Sequence, residues 1–495
     1  MSVTRRRFFS SSAAIPAGLF AGLNAGFAKP RKPGAAATIS GYGPLKPAGD
    51  ELSLPSGFLY SVISYEGEAM SDGFSVPSAM DGMATFALSN GNILLIRNHE
   101  IAEAGRALRP RPANSTSTTA GVLSGTLDRE FGPRNFAYDA YSGGGTTSIE
   151  LDPRSRVKVR EFWSLVGTLR NCAGGTTPWG SWLSGEESLE SASASEYEQN
   201  HGYVFEVPVG AAPGSPAPPV PLKRLGRFAH EALAVDPETG IVYETEDQTD
   251  NSGFYRYIPG SRPTKPGDLA GDTGGRLQML RVMGTDRFVT CVGQTVGRVL
   301  QVGWVDIANP DPSPISVTVA GLTASAVFQQ GYNAGGAIFR RLEGCWYWDG
   351  EIYFTSTNGG DVGLGQIWAY NPRASTLRMV FETPDLHVLD FPDNIAISPR
   401  GGLVICEDGN GGQFIRGVTP QGDIFDFARN IMNTSEFAGA CFSPDGLTLF
   451  VNVYGRATVR TTSVYGRLEV LPIGSEDREK ALTFAITGPW GSGLL

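Results

Sequence analysis

The stretch Pro237-Glu238-Thr239-Gly240-Ile241-Val242-Tyr243-Glu244-Thr245-Glu246-Asp247 reads as a tight turn, a short apolar strand and a closing acidic cluster. Turn residues in front and β-branched or aromatic residues behind predict a strand entered from a hairpin. The unit returns along the chain. Asn90-Gly91-Asn92 leads into Ile93-Leu94-Leu95-Ile96 and ends at Asn98-His99-Glu100. Trp179-Gly180 leads to Glu186-Glu187, Asp349-Gly350 to Asn358, Arg400-Gly401-Gly402 to Glu407-Asp408, and Pro444-Asp445-Gly446 to Asn452. The period is irregular and strong helical periodicity is hard to find. Repeated short strands of this kind predict an all-β chain, a β-propeller of about six four-stranded blades with small helical and loop insertions. In such a ring, equivalent strands end at one mouth of a central channel, where their acids and amides would converge. One acid at a strand end is ordinary turn chemistry. Five or six at matching offsets suggest a site.

Composition agrees. Of 495 residues, 64 are Gly and 33 are Pro, which suits a turn-rich chain and argues against a mainly helical one. A net charge of −10 gives no global attraction for nucleic acid or an anionic membrane. Four histidines make a His-rich zinc site improbable, so a bound metal would be held mainly by oxygen. Five widely spaced cysteines without a CxxC indicate neither a disulfide framework nor a zinc ribbon.

The chain opens with Thr4-Arg5-Arg6-Arg7-Phe8-Phe9, an Ala/Gly/Leu stretch and the small residues Gly26-Phe27-Ala28. This predicts a twin-arginine export signal over residues 1–28, too short and weakly apolar for a membrane anchor. It predicts a periplasmic or extracellular protein whose export partner is the twin-arginine machinery. Residues 29–50, rich in Pro, Gly and Ala, are expected to be an extended leader, and residues 51–495 a single propeller domain. Arg109–Thr119 is expected to be a surface loop, Ser191–His201 a short helix and Gly210–Pro221 a linker between strands.

The densest chemistry lies between Gly167 and Glu187. There Asn171-Cys172-Ala173-Gly174-Gly175 precedes a strand that ends in paired carboxylates. A thiolate and a carboxylate brought to one metal cluster would need this arrangement. A small buried core thiol fits the spacing equally well. His201 and His387 read as surface or turn residues. His99 and His230, each before a glutamate, read as orienting groups. Trp179, Trp182, Trp346 and Trp368 read as blade packing.

The sequence resembles the PhoX-type alkaline phosphatase family. The resemblance runs from Asn98-His99-Glu100 to Phe450-Val451-Asn452. It rests on the Cys172 segment, Gly226-Arg227-Phe228-Ala229-His230-Glu231-Ala232, Gly253-Phe254-Tyr255-Arg256, Arg341-Leu342-Glu343-Gly344, Ser356-Thr357-Asn358-Gly359-Gly360, Pro392-Asp393-Asn394 and Cys406-Glu407-Asp408-Gly409. It implies a six-bladed, twin-arginine-exported phosphatase that acts on phosphate monoesters with ferric and calcium ions. By the same resemblance Cys172 is an iron-bridging thiolate and Glu187 and Glu343 are metal ligands. Arg341 holds the substrate phosphate, while Glu231, Asp393 and Glu407 are further ligands. Asn98, Glu100, Glu246, Asp247 and Glu436 are weaker candidates. Ser184-Gly185 and Val453-Tyr454-Gly455-Arg456 depart from the family's pattern. Two other functions stay open: a calcium-dependent propeller hydrolase of lactones or phosphotriesters, and a non-enzymatic scaffold braced by metals.

Overall fold

Each turn–strand–acid unit forms the second strand of an antiparallel group, behind an inner strand that faces the axis of a ring. The computed structural model describes residues 38–101, 132–193, 197–419, 422–455, 480–492 and 495. The export segment, residues 29–37 of the leader, the Arg109–Thr119 loop and Arg456 lie outside them.

Blade 1 pairs Met80–Ala87, Ile93–His99, Gly144–Leu151 and Lys158–Thr168. Blade 2 pairs Asn171–Thr176, Ser181–Glu186 and Val204–Pro208. Blade 3 pairs His230–Val235, Val242–Glu246, Phe254–Ile258 and Arg276–Val282. Blade 4 pairs Leu342–Trp348, Glu351–Ser356, Gln366–Asn371 and Thr376–Glu382. Val299–Asp306 bonds the outer strands of blades 3 and 4 into one sheet. Blade 5 pairs Pro392–Ile397, Leu403–Glu407, Phe414–Val418 and Ile424–Asn430, and Leu52–Pro55 adds to its outer edge. Blade 6 pairs Phe437–Phe442, Thr448–Val453 and Leu482–Thr487 with Leu59–Tyr65 from the other end of the chain. The inner strands touch in order round the ring, and that of blade 6 meets that of blade 1. The fold is an all-β propeller.

The core lies between blades. Leu449, Val451 and Phe484 of blade 6 pack with Val404, Ile415 and Phe427 of blade 5. Trp182 and Trp368 are buried, and Trp179 and Trp346 pack against core clusters, as expected of blade packing. One α-helix is described, Ala326–Asn333, capped by Ser325 Oγ accepting from the Phe328 N–H at 3.0 Å. The described part of Ser191–His201 is irregular rather than helical.

Every inner strand breaks register near its start, between Met80 and Met83, Asn171 and Gly174, His230 and Leu233, Leu342 and Cys345, Pro392 and Ile395, and Ala438 and Cys441. A bulge unpairs residues and re-aims their side chains. The first unpaired residue is Asp81, Cys172, Glu231, Glu343, Asp393 and Gly439 in turn. Four of their carbonyls are taken up by the preceding blade. Asn98 Nδ2 donates to Cys172 O (3.2 Å), Thr245 Oγ1 to Glu343 O (2.6 Å), Thr355 Oγ1 to Asp393 O (2.8 Å) and Asn452 Nδ2 to Asp81 O (2.5 Å). Gly185 stands at this position in blade 2. A Cβ there would lie 3.0 Å from His230, so close approach of the blades explains the glycine.

Candidate active site

The six bulges set their first residues facing one another. Glu100, Glu187, Asp247 and Asp408, each following a second strand, form a shallower tier. Ligand atoms within 4.8 Å of one another define four groups: Asp81, Glu100 and Cys172; Cys172, Glu187 and Glu231; Glu231, Glu343 and Asp393; and Asp393, Asp408 and Glu436. Cys172, Glu231 and Asp393 are each shared, so the groups run continuously round the mouth. Cys172 Sγ lies 3.5 Å from Asp81 Oδ2 and 3.7 Å from Glu187 Oε2. Cys345, Cys406 and Cys441 sit in apolar clusters, whereas Cys172 sits among carboxylates.

Cys172, Glu187, Glu231, Glu343 and Asp393 therefore meet in one place, and Arg341 Nη2 pairs with Glu343, 2.5 Å from Oε1. Glu407 does not join them. Its carboxylate accepts from Arg416 Nε (2.7 Å) and the Asp390 N–H (3.0 Å), and its neighbour Asp408 faces the cluster instead. Of the weaker candidates, Glu100 and Glu436 join the groups, and Asp247 Oδ1 lies 3.5 Å from Arg341 Nε. Glu246 is held by Tyr255 Oη and the Gly253 N–H, and Asn98 braces the next blade. Sequence reasoning missed Asp81, Asp408 and Arg170. Asp81 opens a strand instead of closing one, and its only signal is an acid just before Gly82 at the head of an apolar run.

The channel narrows directly beneath the acids. Gly82, Ala173, Ala232, Gly344, Asn394 and Ala440, the second bulge residues, line a cavity of about 20 Å3 with Trp346. That is room for about one water.

So many like charges cannot all be ionised unaided. Eight carboxylates and a thiol face two guanidinium groups, Arg170 and Arg341, among the described residues. Burial, and then Glu100 and Asp393, raise Asp81 well above the usual carboxylate range. Burial, and then Glu343, do the same to Glu231. Asp393 is pushed to about 7 by burial and Asp408. Burial and the Asp81 charge also push the Cys172 thiol up. Asp81 Oδ1 and both oxygens of Glu231 are buried without a hydrogen bond. A buried acid lacking donors costs free energy unless it is protonated or meets a cation. Oxygen-rich groups with one sulfur fit hard cations, one of which also takes thiolate.

The histidines serve the frame. His99 bonds Ser78 O and Thr147 Oγ1, each at 2.9 Å, and His230 Nε2 lies 3.2 Å from Gly226 O, so neither ring orients the glutamate beside it. Alternation along a strand turns neighbouring side chains to opposite faces. His387 is exposed, as expected, but His201 is fully buried. Its Nδ1 lies 2.8 Å from Glu186 Oε1 and its Nε2 3.5 Å from Asp139 Oδ2. Burial opposes the imidazolium, but Glu186 and Asp139 outweigh it and raise the ring from 6.5 to about 9. The charged ring thus adds roughly 3 kcal/mol of stability. That contribution is complete below about pH 6.5 and disappears as pH rises through 9. His201→Leu should flatten the fall in thermal midpoint between about pH 6.5 and 9, read by calorimetry. An unaltered slope would show that His201 is neutral.

A model of the family described as alkaline phosphatase PhoX matches residues 40–456. Among solved structures, PhoX of Pseudomonas fluorescens, in complex with vanadate, a transition state analogue, aligns over 92% of this chain and 98% of its own. The TM-score is 0.63 at 19% identity. A gluconolactonase from Xanthomonas campestris covers 90% of this chain and 99% of its own at 11% identity and a TM-score of 0.35. Regucalcin from Agrobacterium tumefaciens covers 86% and 95% at 8% identity and a TM-score of 0.38. No match was found among curated proteins.

Proposed function

Since the chain belongs to the PhoX alkaline phosphatase family, and is therefore a phosphatase, we propose that the acid-lined mouth is its metal-dependent active site. The substrates are phosphate monoesters, from which it releases inorganic phosphate. The observation that carries this reading is the continuous set of eight carboxylates and one thiol, with unbonded buried oxygens on Asp81 and Glu231. Cys172, Glu187, Glu231, Glu343 and Asp393 would hold ferric and calcium ions, together with Asp81, Glu100, Asp408 and Glu436. Bound there, such cations neutralise the phosphate dianion and polarise its oxygens. Arg341 presents its guanidinium to the phosphate, held in place by Glu343 and Asp247. Its fork suits two phosphate oxygens at once. Glu407 acts through Arg416 and the Asp390 N–H, fixing the loop ahead of Asp393.

The twin-arginine segment supports export, and we place the protein in the periplasm or outside the cell, with residues 51–495 as one catalytic domain. No described helix is long and apolar enough to cross a membrane. A lactonase or phosphotriesterase built on calcium alone needs neither Cys172 nor Arg341. Protein purified from cells given iron and calcium should contain both metals and hydrolyse p-nitrophenyl phosphate. Chelation should abolish that activity and lower the thermal midpoint, since metal binding is also folding free energy. Full activity in protein free of iron by elemental analysis would sink the iron assignment. Lactone hydrolysis without phosphatase activity would sink the substrate class.

A further inference from the structure

Arg170 and Arg341 occupy one structural position in two blades. Each directly precedes an inner strand, that of blade 2 and that of blade 4. Each has a left-handed backbone, with φ of +49° and +35°. The Arg170 N–H donates to Ile101 O (3.2 Å) and the Arg341 N–H to Gln248 O (2.9 Å), the residues just beyond Glu100 and Asp247. Their carbonyls accept from the N–H groups of Glu187 (2.9 Å) and Thr357 (2.8 Å). A strained residue persists where its surroundings over-determine it, and such residues gather at active sites. Ala79, Ala229 and Phe391 stand at this position in blades 1, 3 and 5, so only blades 2 and 4 place a cation there.

Both guanidinium groups are held by carboxylates of the mouth. Arg170 Nη2 bridges Glu100 Oε1 (3.0 Å) and Glu187 Oε2 (3.1 Å). Arg341 Nη2 forms an ion pair with Glu343, 2.5 Å from Oε1, and lies 3.8 Å from Asp408 Oδ2. In both, Nη1 has no hydrogen-bond partner among the described residues. Their depths differ, since the Arg170 side chain is 41% exposed and that of Arg341 26%. The cavity of about 20 Å3 beneath the acids is too small for an ester, so on the phosphatase reading the phosphate would lie deepest and the organic part would trail outward past the shallower arginine.

We propose that Arg170 is a second anion-binding arginine of this mouth. It would bind a carboxylate or second phosphate on the organic part of the substrate while Arg341 holds the scissile phosphate. The proposal rests on the phosphatase site described above. It makes Arg170 a specificity-determining residue, favouring phosphate monoesters whose organic part is itself anionic. A guanidinium forms paired, charge-assisted bonds with a carboxylate, and lysine only a single-point contact.

The test compares kcat/KM for 4-carboxyphenyl phosphate and phenyl phosphate in metal-loaded protein. The ratio between the two, followed from wild type to variant, cancels their intrinsic reactivities. Arg170→Ala should lower that ratio roughly tenfold, and Arg170→Lys less. Arg341→Ala should lower both substrates alike. Iron and calcium are measured in each variant, because Arg170 also touches Glu100 and Glu187. An unchanged ratio in metal-replete Arg170→Ala would overturn the proposal. So would equal losses for both substrates accompanied by lost metal, which would leave Arg170 a brace. If Arg341→Ala keeps full activity on both, the phosphate site itself is misplaced, a failure separate from that of Arg170.

Discussion

Cys172→Ser should fold, lose iron and lose phosphatase turnover by roughly 10²-fold or more, the effect of several kcal/mol withdrawn from the transition state. Serine is nearly isosteric, but its hydroxyl stays protonated near neutral pH and is a weak ligand where thiolate is a strong one. The surroundings make this the sharpest test in the molecule. Sγ lies 3.5 Å from Asp81 Oδ2 and 3.7 Å from Glu187 Oε2, so this thiol has acids for neighbours. A thiol that merely filled space would respond differently. Its replacement would cost about 1–3 kcal/mol for the buried hydroxyl and leave turnover intact in the folded fraction. Serine at Cys345, Cys406 or Cys441, each inside an apolar cluster, supplies that comparison. Calcium retained while iron falls would tie the sulfur to iron. Full iron content with wild-type turnover in Cys172→Ser would return the residue to a packing role.

Arg341→Ala should leave fold and metals in place and cut kcat/KM roughly 10²-fold or more, because a charge-assisted clamp on the phosphate is removed. Alanine keeps the Cβ, so the left-handed turn at this position is no more strained than before. The Glu343 charge on Arg341 Nη2 is the largest influence on this guanidinium and raises its pKa, so the group is permanently charged. Lysine should restore part of the loss, since it brings the charge without the planar fork. Kinetics unchanged from wild type in the alanine variant would place phosphate binding elsewhere in the mouth.

The propeller was legible because its second strands announce themselves. Each begins at a turn and ends in acids or amides, and all six lie where the repeat placed them. The cluster was legible only in part, for a geometric reason. Where two acids close a strand, the first belongs to the frame and the second to the mouth. Glu186 bonds His201 while Glu187 faces Cys172, Glu246 bonds Tyr255 while Asp247 faces Arg341, and Glu407 bonds Arg416 while Asp408 joins Asp393. Choosing Glu407 over Asp408 misread this alternation. The deeper tier is harder to find, because each of its residues stands in a bulge and a bulge erases the two-residue period. Cys172, Glu231, Glu343 and Asp393 were reached through family resemblance, and Asp81, which no quoted motif contains, was not reached at all.

Blade 6 draws its outermost strand from Leu59–Tyr65 and the strand beside it from Leu482–Thr487. During synthesis the earlier strand emerges some four hundred residues before the partner it needs. At about 5–20 residues per second, the nascent chain carries an unpaired edge for tens of seconds, an invitation to wrong partners. The ring cannot shut until Leu482–Thr487 has been made. Because the candidate ligand groups run through all six blades, the proposed site would be incomplete before that moment. A chain terminated before Leu482 would lack this closure, which makes Leu482–Thr487 the enzyme's on-switch.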